Sequence, residues 1–77
     1  MKEFFIRALQ ADLTTILANN QVPSKQEALN EIKAVKSYID DLMKDVDPSP
    51  AEREIDVPDE WQKRIEKVAW GLSVSGF

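Results

Sequence analysis

The 77-residue chain contains no cysteine and no histidine. The absence of cysteine excludes disulfide bonds and thiolate nucleophiles, and it favours a reducing compartment, so we expect a cytoplasmic protein. The absence of histidine removes the side chain that most often serves as a general base near neutral pH and as a metal ligand. We therefore expect no catalytic residues, no enzyme activity and no cofactor.

Glycine is almost as scarce, since only Gly71 and Gly76 occur. A glycine-rich loop that cradles phosphate is excluded, and we expect no small-molecule substrate. A calcium loop starting at Asp45 fails at its two most demanding positions: Pro50 stands where a glycine is needed for the turn, and Asp56 stands where a bidentate glutamate is needed. We therefore expect no metal site.

Long apolar runs are also missing, because no stretch approaches the roughly 20 residues that span a bilayer. We expect no contact with a membrane. Apolar residues nevertheless make up 43% of the chain and charged residues 31%. This balance is typical of a globular domain, and the length predicts one domain over residues 1–77.

Apolar residues recur at helical spacing in a first segment, residues 2–18. The set that shares one face is Phe5, Ile6, Leu9, Leu13, Ile16 and Leu17. Asparagines followed by Pro23 then predict the end of the helix, because asparagine tolerates the left-handed conformation of a helix C-cap and proline does not continue a helix.

A second helix is predicted over residues 24–46. Ser24 and Glu27 have the spacing of a capping box, in which each side chain accepts a hydrogen bond from the other residue's backbone N–H. One continuous apolar stripe follows, made of Ala28, Leu29, Ile32, Val35, Ile39, Leu42, Met43 and Val46. The short break before Ser24 predicts that the first two helices form an antiparallel hairpin.

Residues 47–57 form an acidic, proline-containing linker in which Ile55 and Val57 alternate with acids, as in an extended segment. A third helix is predicted over residues 58–72, because proline followed by acids favours a helix start. Its apolar face contains Trp61, Ile65, Val68, Ala69 and Leu72. The predicted fold is all-α: a three-helix bundle made of the hairpin and a third C-terminal helix.

Three aromatic residues lie off these apolar faces, Phe4, Tyr38 and Trp70, and Phe77 in the short C-terminal tail is expected close to Trp70. One interpretation is that Trp70 and Phe77 fold back over Phe4 within one chain. The other is that these residues form a surface for a partner protein or for a second copy in a homodimer, because tryptophan and tyrosine are enriched at binding hot spots. We favour a small interaction module or regulator that binds through this surface.

Charge is distributed unevenly, because residues 40–60 contain nine acids against two bases, a net charge of −7. Such a segment repels nucleic acid and suits a basic partner. Asp40, Asp41 and Asp45 are therefore further candidates for partner binding. One form of this function is inhibition, in which the carboxylates take the place of phosphates in the basic groove of a nucleic-acid-binding protein.

The alternative is a DNA-binding regulator of the helix-turn-helix type. The second helix would then present Lys25, Gln26, Asn30 and Lys33, residue types that contact bases and phosphates. A calculated pI near 4.7 opposes this function, because electrostatic attraction dominates nucleic-acid affinity. We therefore expect a protein partner rather than a nucleic acid.

Overall fold

A computed structural model describes residues 1–47 and 53–74, the last two by their backbone alone. Three helices make up most of these ranges: α1 (Glu3–Ala18), α2 (Gln26–Met43) and α3 (Asp59–Val74). Within the same ranges no residue belongs to a β-strand, and the only strand-like contact is an isolated bridge between Lys2 and Glu54. The prediction of an all-α three-helix bundle is confirmed.

Helices α1 and α2 form the predicted antiparallel hairpin. In the first half of α1, Arg7 donates a hydrogen bond to the carbonyl of Val46, just after the end of α2, over 2.9 Å, and at the middle of α1 the Gln10 amide donates to the carboxylate of Asp40 over 2.7 Å. At the turn, Asn20 has a φ of 56°, and the N–H of Gln21 donates to the carbonyl of Ile16 over 2.9 Å. The residue in the left-handed region is thus an asparagine, which adopts that conformation at less cost than most residues.

The predicted capping box at the start of α2 does not form. The capping position is Lys25, which has extended backbone and makes no side-chain capping bond, and the helix begins at Gln26. A capping box needs a glutamate at the third helical position, and Glu27 would occupy that position only if the helix began at Lys25, with Ser24 as the N-cap. Because Lys25 is extended, Glu27 is the second helical residue and does not reach back to the N-cap backbone N–H. Its negative charge still lies in the favourable field of the helix N-terminus.

Helix α3 runs antiparallel to α2, and two contacts show this. Trp61, near the start of α3, packs on Tyr38 in the second half of α2, while Arg64 binds Glu31 further back along α2. Because α1 and α3 both run against α2, they are parallel to each other. The core between the three helices contains the fully or almost fully buried residues Ile6, Leu9, Leu13, Ile32, Val35, Ile39, Met43, Ile65 and Val68.

The second half of the linker, residues 53–57, lies beside the start of α1. The N–H of Glu3 donates to the carbonyl of Arg53 over 2.8 Å, and the N–H of Ile55 donates to the carbonyl of Met1 over 2.7 Å. Ile55 and Val57 pack against the core, in keeping with the extended conformation that the sequence predicts.

Candidate functional site

The three interfaces between helices differ in the side-chain hydrogen bonds that cross them. The α1–α2 interface carries the Gln10–Asp40 hydrogen bond, and the α2–α3 interface carries a bidentate ion pair in which Arg64 donates to Glu31 over 2.6 and 2.9 Å. In the described part of the chain, every side-chain hydrogen bond that joins two helices involves α2. We call these two interfaces the closed seams and the α1–α3 interface the open seam.

A shallow groove follows the open seam. Its first part has a volume of about 220 Å³ and is lined by Phe5, Ala8, Leu9, Asp12, Ala69 and Leu72. A second hollow of about 460 Å³ shares Asp12 and Leu72 with the first and continues along α1 to Ile16. The groove is therefore a continuous, mainly apolar depression that runs along most of α1.

Large aromatic side chains lie on the two helices that border this groove. Phe4 on α1 is 73% exposed and Trp70 on α3 is 68% exposed, while Phe5, in the groove wall, is 38% exposed. The exposure of Phe4 and Trp70 agrees with their predicted positions off the apolar faces. Their role in binding a partner stays a prediction.

One exposed charge in the open seam has no ionic partner within the described chain. Asp12 lines both hollows of the groove and forms no ion pair with any described residue. By contrast, the described carboxylates that do form ion pairs all lie elsewhere in the molecule. The open seam thus combines apolar surface with one unneutralised negative charge.

Tyr38 differs from the sequence-based description of a residue off the core. Its ring is half-buried and stacks on Trp61, with the ring centroids 4.2 Å apart and the planes 7° from parallel. The Arg64 guanidinium lies over the same Trp61 ring at 4.0 Å. Tyr38 therefore belongs to a closed seam, because α3 packs along the side of α2 on which this ring lies. Phe77 is outside the described residues.

The acidic candidates divide into one paired residue and two unpaired ones. Asp40 accepts hydrogen bonds from Gln10 and from Lys36, at 2.7 and 2.6 Å, and these two bonds lower the pKa of its carboxyl below the usual value. Asp41 and Asp45 are exposed and form no ion pair with a described residue. Of the three acidic candidates, Asp41 and Asp45 are therefore those whose carboxylates no described residue neutralises.

A buried carboxylate that the sequence did not reveal lies at the start of α1. Glu3 is only 4% exposed and accepts hydrogen bonds from Arg7 over 2.7 Å and from Arg53 over 2.9 Å. The bonds from Arg53 and then Arg7 lower the pKa of Glu3 below its usual value. The four-residue spacing between Glu3 and Arg7 is visible in the sequence and is compatible with an ion pair on one helix face. The pairing with Arg53 is not visible, because Arg53 comes from a distant part of the chain. This group holds the linker against α1 and is structural in character.

The residues considered for DNA contact lie at and after the start of α2. The Gln26 amide donates to the side-chain oxygen of Asn30 over 2.8 Å, while Lys25 and Lys33 are exposed. The polar groups of Gln26 and Asn30 are thus partly engaged with each other. Nothing in this arrangement singles it out as a base-reading surface.

Comparison of the chain with protein-family models, with curated proteins and with solved structures gives no match. In the described ranges no helix is both long enough and apolar enough to cross a membrane. Over the same residues, no three or more acidic side chains are grouped so as to hold a metal ion.

Proposed function

We propose that this protein is a non-enzymatic interaction module whose binding face is the open seam between α1 and α3. The observation that carries the proposal is the pair of aromatic side chains, Phe4 and Trp70, that remain 73% and 68% exposed on the two helices bordering an apolar groove. The partner is another protein or a second copy of this chain.

Physical reasoning supports this choice of face over the rest of the surface. Tryptophan and phenylalanine carry a large apolar area, and covering them on binding yields a favourable free energy of about 25 cal/mol per Å² removed from water. The flanking groove supplies the concave surface that a bound side chain needs. On the α2–α3 seam the rings of Tyr38 and Trp61 already stack on each other. The hollow of about 240 Å³ on that seam is lined mainly by charged residues, namely Lys25, Glu27, Glu31 and Lys67.

Affinity purification of the tagged protein from its native cells tests this proposal. We expect the Phe4→Ser and Trp70→Ala variants to lose the proteins recovered with the wild-type chain, while circular dichroism shows unchanged helix content. The matched control is the Lys33→Ser variant, which alters an exposed residue on α2 that forms no ion pair with a described residue. Equal recovery by the wild type and both seam variants would contradict the proposal.

A second candidate function rests on Asp41 and Asp45, exposed carboxylates at and just after the end of α2 that form no ion pair with a described residue. In that function the acidic end enters the basic groove of a nucleic-acid-binding protein. The Asp41→Lys/Asp45→Lys double variant distinguishes the two: loss of partners with this variant and not with Trp70→Ala favours the acidic end. Recovery of DNA with a steep salt dependence would instead favour the DNA-binding alternative.

A further inference from the structure

We infer that the groove of the open seam binds a basic amphipathic helix of a partner protein, one that carries lysine or arginine on the flanks of its apolar stripe. The inference rests on the proposed function, because it uses the same face, and it goes further by naming the chemistry of the partner. It is carried by the charge and the shape of the groove, which complement such a helix.

The described lining of the groove carries charge of one sign. Asp12 lines both hollows, is exposed and forms no ion pair with a described residue. Among the described residues that line either hollow, none is basic. A cationic side chain that enters the groove therefore meets an unneutralised carboxylate and, in this lining, no charge that repels it.

A second carboxylate lies beside the groove on α3. At about 100° per residue, Glu66 is about 60° from Ala69, which lines the groove, and it falls between Ala69 and Trp70 around the helix. Glu66 is exposed, accepts a hydrogen bond from the Gln62 amide over 3.3 Å and forms no ion pair with a described residue. Both helices that form the groove thus present a negative charge there.

The bases of α1 and α3 are directed elsewhere. Arg7 donates its hydrogen bonds at the seam with α2 and the linker. Arg64 and Lys67 belong to the α2–α3 seam, where the first forms the ion pair and the second lines the hollow of about 240 Å³. Lys63 is about 120° from Ala69 around α3. The groove therefore favours a basic partner, and a second copy of this chain, with a net charge of −4, is a poorer match.

The dimensions of the groove fit a helix. It extends from Phe5 to Ile16, about 16 Å along α1, which is the length of about three helical turns. Its lining includes Ala8 and Ala69, one from each helix, and these small side chains let a third helix approach closely. The rest of the lining is mainly apolar, as the buried stripe of an amphipathic helix requires.

A helical partner suits this groove better than an extended peptide. Both walls are helices, whose backbone groups are hydrogen-bonded within each helix, so they offer no strand edge with which an extended peptide could pair. A helix satisfies its own backbone groups and binds through side chains alone. Its apolar stripe covers the groove while bases on its two flanks reach Asp12 and Glu66.

Selection from a displayed library of peptides of about 18 residues, or five helical turns, is the primary test. The library fixes leucine along one helical stripe and varies the flanking positions among lysine, glutamate, glutamine and serine. We expect the peptides retained by the purified full-length chain to be enriched in lysine on both flanks. Enrichment in glutamate, retention without any charge preference, or a library from which no peptide is retained overturns the inference.

Isothermal titration calorimetry with one retained peptide tests whether it lies in the groove. Asp12→Lys should raise the dissociation constant about tenfold or more, because a lysine of the peptide then meets a like charge. The matched control is Asp41→Lys, which makes the same change in net charge at an exposed residue of α2. Equal weakening by the two variants would show that net charge alone attracts the peptide, and it contradicts the inference.

Changes in the peptide test the ion pair and the helix separately. Replacing one flanking lysine by glutamate, at each position in turn, should yield a peptide that binds the Asp12→Lys variant about as tightly as the original binds the wild type. Proline in the middle of the peptide should abolish binding, whereas alanine at the same position should not, because proline breaks a helix. Binding that no charge swap restores, or that tolerates the proline, rules out this arrangement.

The failures of the two proposals are distinguishable. Peptides without a charge preference that nevertheless lose binding to the Trp70→Ala variant reject the basic helix and keep the open seam as a binding face. Peptides that bind Asp12→Lys, Phe4→Ser and Trp70→Ala as well as the wild type reject both. A chain that sediments at twice its mass of 8.8 kDa, and that Asp12→Lys returns to a monomer, assigns the groove to a second copy and rejects the basic helix.

Discussion

The closed seams and the open seam are built from the same kinds of residue, but those residues are used differently. In the α2–α3 seam, Trp61 is stacked between the Tyr38 ring and the Arg64 guanidinium, and Arg64 is in turn bound to Glu31. In the α1–α3 seam, by contrast, Asp12 lines the groove without forming an ion pair with a described residue, and Trp70 on α3 remains 68% exposed. The two kinds of seam therefore differ in how far the described chain itself engages their aromatic and charged side chains.

The same contrast explains why α2 is the central helix. Each of its neighbours is fixed to it by a specific polar contact in addition to apolar packing, through Asp40 on one side and Glu31 on the other. Helices α1 and α3 are held relative to each other mainly through α2. The groove between them is therefore the part of the described bundle that no interhelical side-chain hydrogen bond crosses.

The largest expected effect comes from removing apolar volume shared by the whole bundle. Ile39 on α2 is fully buried, and Ile39→Ala should lower the free energy of unfolding by about 2–5 kcal/mol, because it leaves a cavity and loses apolar burial. Urea denaturation followed by circular dichroism measures this. The control Lys33→Ala should change the value by less than about 0.5 kcal/mol; similar losses in the two variants would mean that the core is misassigned.

The second-largest effect on the free energy of unfolding is expected for Glu3, the buried carboxylate at the start of α1. Glu3→Gln should destabilise the fold at pH 7. The glutamine side chain is uncharged, so the guanidinium groups of Arg7 and Arg53 would lose the carboxylate that accepts their partly buried hydrogen bonds. The folded-state pKa of Glu3 is below its ordinary value of 4.5, so this stabilisation is fully present above pH 4.5.

As the pH falls below 4.5 and through the lower folded-state pKa, the unfolded chain takes up a proton first and the contribution of Glu3 is lost. The difference in unfolding free energy between wild type and Glu3→Gln should therefore narrow progressively as the pH is lowered below 4.5. Thermal unfolding at a series of pH values measures it. A difference that is constant over this range would show that the charge of Glu3 is not what stabilises the fold.

A smaller effect is expected for the ring stack in the α2–α3 seam. A double-mutant cycle with Tyr38→Ala and Trp61→Ala should give a coupling free energy of about 0.5–1.5 kcal/mol, the usual range for an aromatic pair. The off-seam cycle of Tyr38→Ala with Lys44→Ala should give a coupling near zero. A coupling near zero for the ring pair would mean that the stack adds nothing beyond the burial of each ring.

The smallest effect is expected in the open seam. Asp12→Asn should change the unfolding free energy by less than about 0.5 kcal/mol at concentrations where the chain is monomeric, because Asp12 is exposed and forms no ion pair with a described residue. Denaturation curves at the lowest usable concentration check this. A large loss there would show that Asp12 supports the fold of a single chain, and it would remove the contrast between the seams.

Most of the fold could be predicted because it depends on local and periodic signals. Apolar spacing gave the three helices, and the asparagine turn placed the end of α1. The start of α2 was wrong, because the backbone of Lys25 decides whether Ser24 and Glu27 can reach each other, and no side-chain spacing reveals that conformation.

The polar contacts could be predicted much less well. The positions of Phe4 and Trp70 off the apolar faces followed from helix periodicity, so their exposure was accessible from sequence. The pairing of Glu3 with Arg53 and of Glu31 with Arg64 depends on how distant segments approach one another, which periodicity does not encode. Tyr38 shows the same limit, because its burial requires α3 to pack on one particular side of α2.

The fluorescence of the two tryptophans reports on two different parts of this small protein. Trp61, held between Tyr38 and Arg64, senses whether the bundle is intact, whereas Trp70, two-thirds exposed, senses what covers the surface. A Trp61→Phe variant would emit from the outer ring alone, so its fluorescence would follow occupancy of that surface without interference from unfolding.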